Sequence, residues 1–228
     1  MLATAHLAEG NFAAALAAID AGLALKPGDG FFTRMRELVD GYQVYQDGML
    51  EKRNSIYMDY PPVVHLETYA KCNASCGFCP YETLDRLGTR MPDALISKVI
   101  NDLTDIPASV PFIIAPQKVN EPFLDKRIFA VFAEIAAKLP NAKLLINTNA
   151  AALSDGNIAK LAKVTNVARM WISLNEHRPG YYEALMKLPL AHTIQRLDAI
   201  HVAKLDGRLS FPIQVGRVGD GTSADGEF

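Results

Sequence analysis

From Val63 onward the sequence alternates short apolar runs with amphipathic stretches, and this alternation restricts the fold more than any other feature of the chain. Val63–Thr68, Phe112–Ala115, Lys143–Thr148, Arg169–Leu174 and Leu209–Val215 read as strands. Pro92–Leu103, Lys126–Leu139, Ser154–Ala162 and Thr193–Leu205 read as the helices between them. In the first helix Leu95, Ile96, Val99, Ile100 and Leu103 share a face; in the second Phe129, Phe132, Ile135, Ala136 and Leu139 do. Ser154 is placed to cap the third. Strands separated by helical crossovers can pair in parallel. The expectation is therefore an α/β fold built on a parallel sheet.

The region before this array is different. Residues 1–55 are dense in Ala and Leu and lack β-branched runs, so they read as a small helical domain. Gly10-Asn11 marks a turn, Pro27-Gly28-Asp29-Gly30 a stop, and a second helical stretch runs from about Phe32 to Leu50. Gly10, Phe12, Ala15, Ile19 and Pro27 resemble the small, apolar and closing positions of a tetratricopeptide repeat. A single repeat cannot bury its own face, and an alanine-rich hairpin packed on the main domain accounts for the same pattern. Pro61-Pro62 sets up an extended segment and divides residues 1–55 from 61–228.

Composition removes several function classes. Half the residues are apolar and the net charge is −2, which excludes a disordered chain and lacks the basic excess of a nucleic-acid binder. The start has no basic n-region, and the apolar stretch Phe12–Leu25 is interrupted by Asp20 and too short to span a bilayer, so no membrane association is expected. Three cysteines, an odd count, argue against a disulfide framework and for a reducing, cytoplasmic compartment.

All three lie in one short segment, Lys71-Cys72-Asn73-Ala74-Ser75-Cys76-Gly77-Phe78-Cys79-Pro80-Tyr81, directly after the first strand. Barrels of this kind carry their chemistry at the C-terminal ends of the strands. Three soft thiolates suit zinc or an iron–sulfur cluster. A structural zinc site needs a fourth ligand, for which His65 is the near candidate. A [4Fe–4S] cluster held by three cysteines keeps one iron open to a substrate or cofactor.

CxxxCxxC after the first strand of a βα array, with Phe78 before Cys79, resembles the radical S-adenosylmethionine (SAM) superfamily. The resemblance implies a partial (βα)6 barrel, a [4Fe–4S] cluster on Cys72, Cys76 and Cys79, and SAM chelated at the open iron. It implies cleavage of SAM to a 5′-deoxyadenosyl radical that abstracts a substrate hydrogen, with electrons from a flavodoxin- or ferredoxin-type donor. Five strands are legible here, so the barrel is expected to be truncated after strand 5 of six. Glu121-Pro122 stands where the family has Gly-Gly-Glu-Pro, with Val119 and Asn120 in place of the glycines; Glu121 would hold the SAM amino group. Thr148-Asn149-Ala150, at the end of the third strand, resembles the family's Thr-Asn-Gly, implicating Asn149. Ser173-Leu174-Asn175 resembles its Ser-Leu-Asp, with Ser173 toward the carboxylate or ribose and Asn175 replacing the aspartate. The arginine many relatives carry in the next helix is missing from Tyr181–Met186. Phe78 and Val215 fall where adenine is contacted. Trp171 reads as a core residue, and His65 and Glu67, alternating with Val64, Leu66 and Thr68, read as substrate-side residues. The substrate is expected to be a peptide, a protein or a small molecule. The rival is a non-catalytic interaction protein whose cysteine loop is a structural metal site.

Overall fold

The computed structural model describes residues 11–55 and 59–218. Gly10 and the tail 219–228 lie outside the described residues. The chain divides between Tyr60 and Pro61 into two units.

In the first unit, α1 (Phe12–Leu25) and α2 (Gly30–Arg53) form a helical pair. Asn11 caps α1, its side chain accepting the Ala14 N–H. Lys26-Pro27-Gly28 turns the chain, Gly28 taking φ 82°, and Asp29 opens α2 by accepting the N–H groups of Phe31 and Phe32. Ile19 and Val39 are buried at the contact, with Phe12, Leu16, Phe32 and Met35 around them. A Cβ on Gly22 would come within 2.6 Å of the Phe32 ring, so the small residue lets the helices approach.

The second unit is a five-stranded parallel sheet in sequential order, β1 (Val63–His65), β2 (Phe112–Ala115), β3 (Ala142–Thr148), β4 (Val167–Ser173) and β5 (Ile213–Gly216). Between them run α3 (Asp93–Asp102), α4 (Ile128–Lys138), α5 (Asp155–Leu161), α6 (Tyr181–Met186) and α7 (Leu190–Leu205). Sequential parallel neighbours joined by right-handed crossovers place their helices on one side of the sheet. Burial agrees. Ile114, Leu144, Ile146, Met170 and Ile172 are inaccessible, whereas Lys143, Asn147 and Arg169, which alternate with them, are exposed on the concave face. The parallel α/β sheet is what the alternation requires, and its one-sided helices make it the partial TIM-like barrel that the resemblance implied.

Several boundaries differ from the sequence reading. Leu209 does not begin the last strand: its N–H returns to the Ala203 carbonyl, and Lys204 Nζ holds the carbonyls of Ser210 and Phe211. Pro212 cannot donate to the ladder, so pairing starts at Ile213. β1 stops at His65, although the Leu66 N–H still reaches the Ala115 carbonyl. Leu95 is 44% exposed rather than inward, leaving Ile96 and Ile100 as the buried face of α3. Ser154 does cap α5, accepting the Asn157 N–H at 3.2 Å. Trp171 is not a core residue beneath the helices. It is half-buried on the concave face, where its ring lies against Gly216, and a Cβ there would overlap it.

Candidate cofactor site

The segment after β1 carries the cysteines across the C-terminal ends of the strands. Its backbone is tied down on two sides. Ser75 and Gly77 donate to the Met186 and Leu185 carbonyls at the end of α6, at 3.3 and 3.0 Å. On the other side the Glu121 N–H donates to the Lys71 carbonyl at 2.9 Å. Ala74 is buried with Leu174, Tyr182 and Met186, and Cys72 and Cys76 pack on the same cluster. Burial of apolar groups thus fixes the loop from which the thiols project.

Cys72, Cys76 and Cys79 all line one open cavity, together with Glu121, Asn147, Asn149, Ser173 and Asn175. Burial pushes the Cys72 and Cys76 thiols up to about 11, and the charges of neighbouring cysteines push the same way, with Glu121 adding to the effect on Cys72. Such thiols ionise only beside a cation. Three soft sulfur donors around one cavity are a donor set for a metal centre. Among the described residues no three His, Cys, Asp or Glu side chains converge as the ligands of a single ion would. His65, the candidate fourth zinc ligand, instead places Nδ1 2.8 Å from the Gln117 carbonyl. The three thiols of one loop are a soft donor set, and His65 is not oriented to complete it as a fourth ligand.

Glu121 is 2% exposed. Its carboxylate accepts from the Thr148 hydroxyl (2.8 Å), the Asn149 N–H (2.8 Å) and the Phe123 N–H (3.2 Å). Burial raises its pKa to about 7, and these hydrogen bonds limit the rise. Glu121 thereby joins the loop after β2 to the end of β3 and keeps few acceptor positions for a ligand. Asn149 Nδ2 donates to Asn73 Oδ1 at 2.9 Å and lies 3.8 Å from Cys72 Sγ. Asn175 has φ 63°, donates to Met186 Sδ at 3.3 Å and accepts the Val218 N–H at 3.0 Å. Asparagine tolerates that left-handed conformation better than most residues.

Ser173 stands half-buried on the cavity wall, and Phe78 is 47% exposed at its rim. Val215 does not line the cavity. It registers with Ile172, so its side chain shares the face opposite Ser173. Glu67 is not a free substrate-side carboxylate: it pairs with Arg86 at 3.1 Å and accepts the Val119 N–H at 3.0 Å. His65 is exposed on the concave face, below the cavity lining. Sequence reasoning missed Gln117, Lys118 and Met186, which also line the cavity. The first two follow the end of β2 as Asn149 follows β3, and that position was a usable signal. Met186 comes from a helix with no motif of its own.

No protein-family model and no curated protein matches the sequence. The fold does match solved structures. Streptococcus suis SuiB bound to S-adenosylmethionine superposes with a TM-score of 0.56 at 17% identity, covering 90% of this chain and 44% of SuiB. SuiB is also known bound to precursor peptide SuiA, with a TM-score of 0.55 and 19% identity, over 84% of this chain and 38% of that one. BtrN in complex with AdoMet and 2-DOIA gives 0.52 at 16% identity, over 68% of this chain and 56% of BtrN. This chain therefore spans little more than half, or less, of each of these three structures. Its second unit shares the partial-barrel fold of SuiB and BtrN.

Proposed function

We propose that the chain carries the cofactor-binding core of a radical SAM enzyme, with a [4Fe–4S] cluster on Cys72, Cys76 and Cys79 and SAM in the adjoining cavity. One observation carries this reading: the three thiols open into the same cavity as Asn147, Asn149, Ser173 and Asn175, at the C-terminal ends of the strands. When bound, the cluster and SAM supply a 5′-deoxyadenosyl radical for hydrogen abstraction. The chain's own residues hold and orient. α6 and Lys71 fix the cysteine loop, Glu121 locks the β2 and β3 ends together, and Ser173 and Asn147 offer hydrogen-bonding groups on the wall.

The substrate in this reading is a peptide, supported by the likeness to SuiB, which is known with a precursor peptide bound. The concave face, with His65, Trp171 and Gln214 along it, is where a substrate would lie. An external flavodoxin- or ferredoxin-type donor would supply the electron, in a reducing cytoplasm that keeps the thiols free. No helix among the described residues is long and apolar enough to cross a membrane. Anaerobic incubation of the cluster-loaded protein with SAM and dithionite tests the proposal. It is expected to give methionine and 5′-deoxyadenosine. A fully loaded cluster that forms neither would leave a non-catalytic relative.

A further inference from the structure

SAM carries a carboxylate, and the helix after β4 offers no cation to meet it: Tyr181–Met186 contains neither Arg nor Lys. Arg178, just before it, is engaged with Glu176 through two hydrogen bonds, at 3.0 and 2.6 Å, and its guanidinium lies over the Tyr181 ring. The cavity nevertheless has one cationic side chain among its described lining residues, Lys118. It comes from the loop after β2, on another wall.

The backbone around Lys118 is pinned while its ammonium is left over. Its own N–H donates to Asn120 Oδ1 at 3.0 Å, and the next N–H, of Val119, donates to Glu67 at 3.0 Å. Arg86 holds Glu67 in turn. On the other flank, Gln117 Nε2 donates to the Leu145 carbonyl at 3.2 Å, and the Gln117 carbonyl meets His65 Nδ1 at 2.8 Å. Three successive residues are therefore fixed by side-chain hydrogen bonds, in a loop that lacks paired glycines. The Lys118 side chain is exposed and makes no ion pair among the described residues. With the backbone fixed, binding an anion at this cavity wall orders only the lysine side chain and gains a charge-assisted hydrogen bond.

We propose that Lys118 binds the SAM carboxylate, so that anion recognition comes from the loop after β2 and not from the helix after β4. This rests on the reading that SAM occupies the cavity. It assigns Glu67, Arg86 and Asn120 as positioning residues for the lysine.

The test is equilibrium binding, without turnover, to the anaerobically cluster-loaded protein. SAM and decarboxylated SAM, which lacks only the carboxylate, are titrated into wild type, Lys118→Ala and Lys118→Arg. Lys118→Ala is expected to weaken SAM about ten-fold and to leave decarboxylated SAM unchanged, with Lys118→Arg restoring most of the loss. An unchanged melting temperature for Lys118→Ala, expected because the side chain is exposed, establishes that the fold is intact. Equal weakening of both ligands, or none of either, overturns the assignment while the cofactor reading stands. A loaded wild-type protein that binds neither ligand overturns the cofactor reading and the assignment together.

Discussion

Arg127 shows at the residue scale how the mouth of the sheet is held. Its guanidinium pairs with Asp125 at 2.8 Å, reaches the Thr68 and Met91 carbonyls at 3.1 and 2.9 Å, and also contacts Asp93. It thus ties α4 to the segment that leaves β1 and to the start of α3. The Asp125 side chain is fully buried. Replacing Arg127 with Met would leave that carboxylate unpaired and should cost about 3 kcal/mol in urea denaturation. The double variant Arg127→Met/Asp125→Asn should recover part of the loss. Burial alone would raise the Asp125 carboxyl, but hydrogen bonds from Arg127 outweigh it and hold the group below its usual value. Its contribution is therefore complete above the unfolded value, near pH 4, and is lost as pH falls through the lower folded value. Acid unfolding of Asp125→Asn should lack that step. Asn149 and Ser173 were legible as cavity-lining residues because they sit at strand ends, whereas Cys72 and Glu121 lie farther along the loops after β1 and β2 and were legible through their motifs. Glu67 was misread because its partners, Arg86 and Val119, are brought to it by two separate loops. Sequence alternation assigns a face, not the closure of loops over it.

At the scale of elements, the β4–β5 seam is the part of the concave face with least tolerance. The Trp171 ring occupies the space above Gly216 that a Cβ would need. Gly216→Ala should therefore destabilise the protein by about 1–3 kcal/mol. In a Trp171→Ala background the same change should cost little, and thermal melts of the four proteins measure the coupling. Equal losses in both backgrounds would show that the ring and the glycine act separately. The helices and strands were readable from periodicity because each buries one face. The ends were less so. β5 begins late because the turn after α7 uses the Leu209 N–H and Pro212 has none to give. α6 carries no periodic signal of its own, since six residues are too few, and only the resemblance pointed to a helix at Tyr181–Met186. That short helix proves to be the anchor of the cysteine loop, through the Leu185 and Met186 carbonyls.

At the scale of the whole molecule, the order of elements in the sequence becomes the order of strands in the sheet, which brings four strand ends to one cavity. The helical pair of the first unit has its own small core around Ile19 and Val39. It keeps Leu25, Phe31, Leu38, Val44 and Leu50 exposed. The proposed cofactor chemistry belongs to the second unit, where the cysteine loop would hold the cluster. Iron and acid-labile sulfide analysis after anaerobic reconstitution tests this most directly. About four irons and four sulfides per chain are expected, with loss of the cluster in Cys76→Ala. A single tightly bound zinc per chain, with no sulfide, would contradict it.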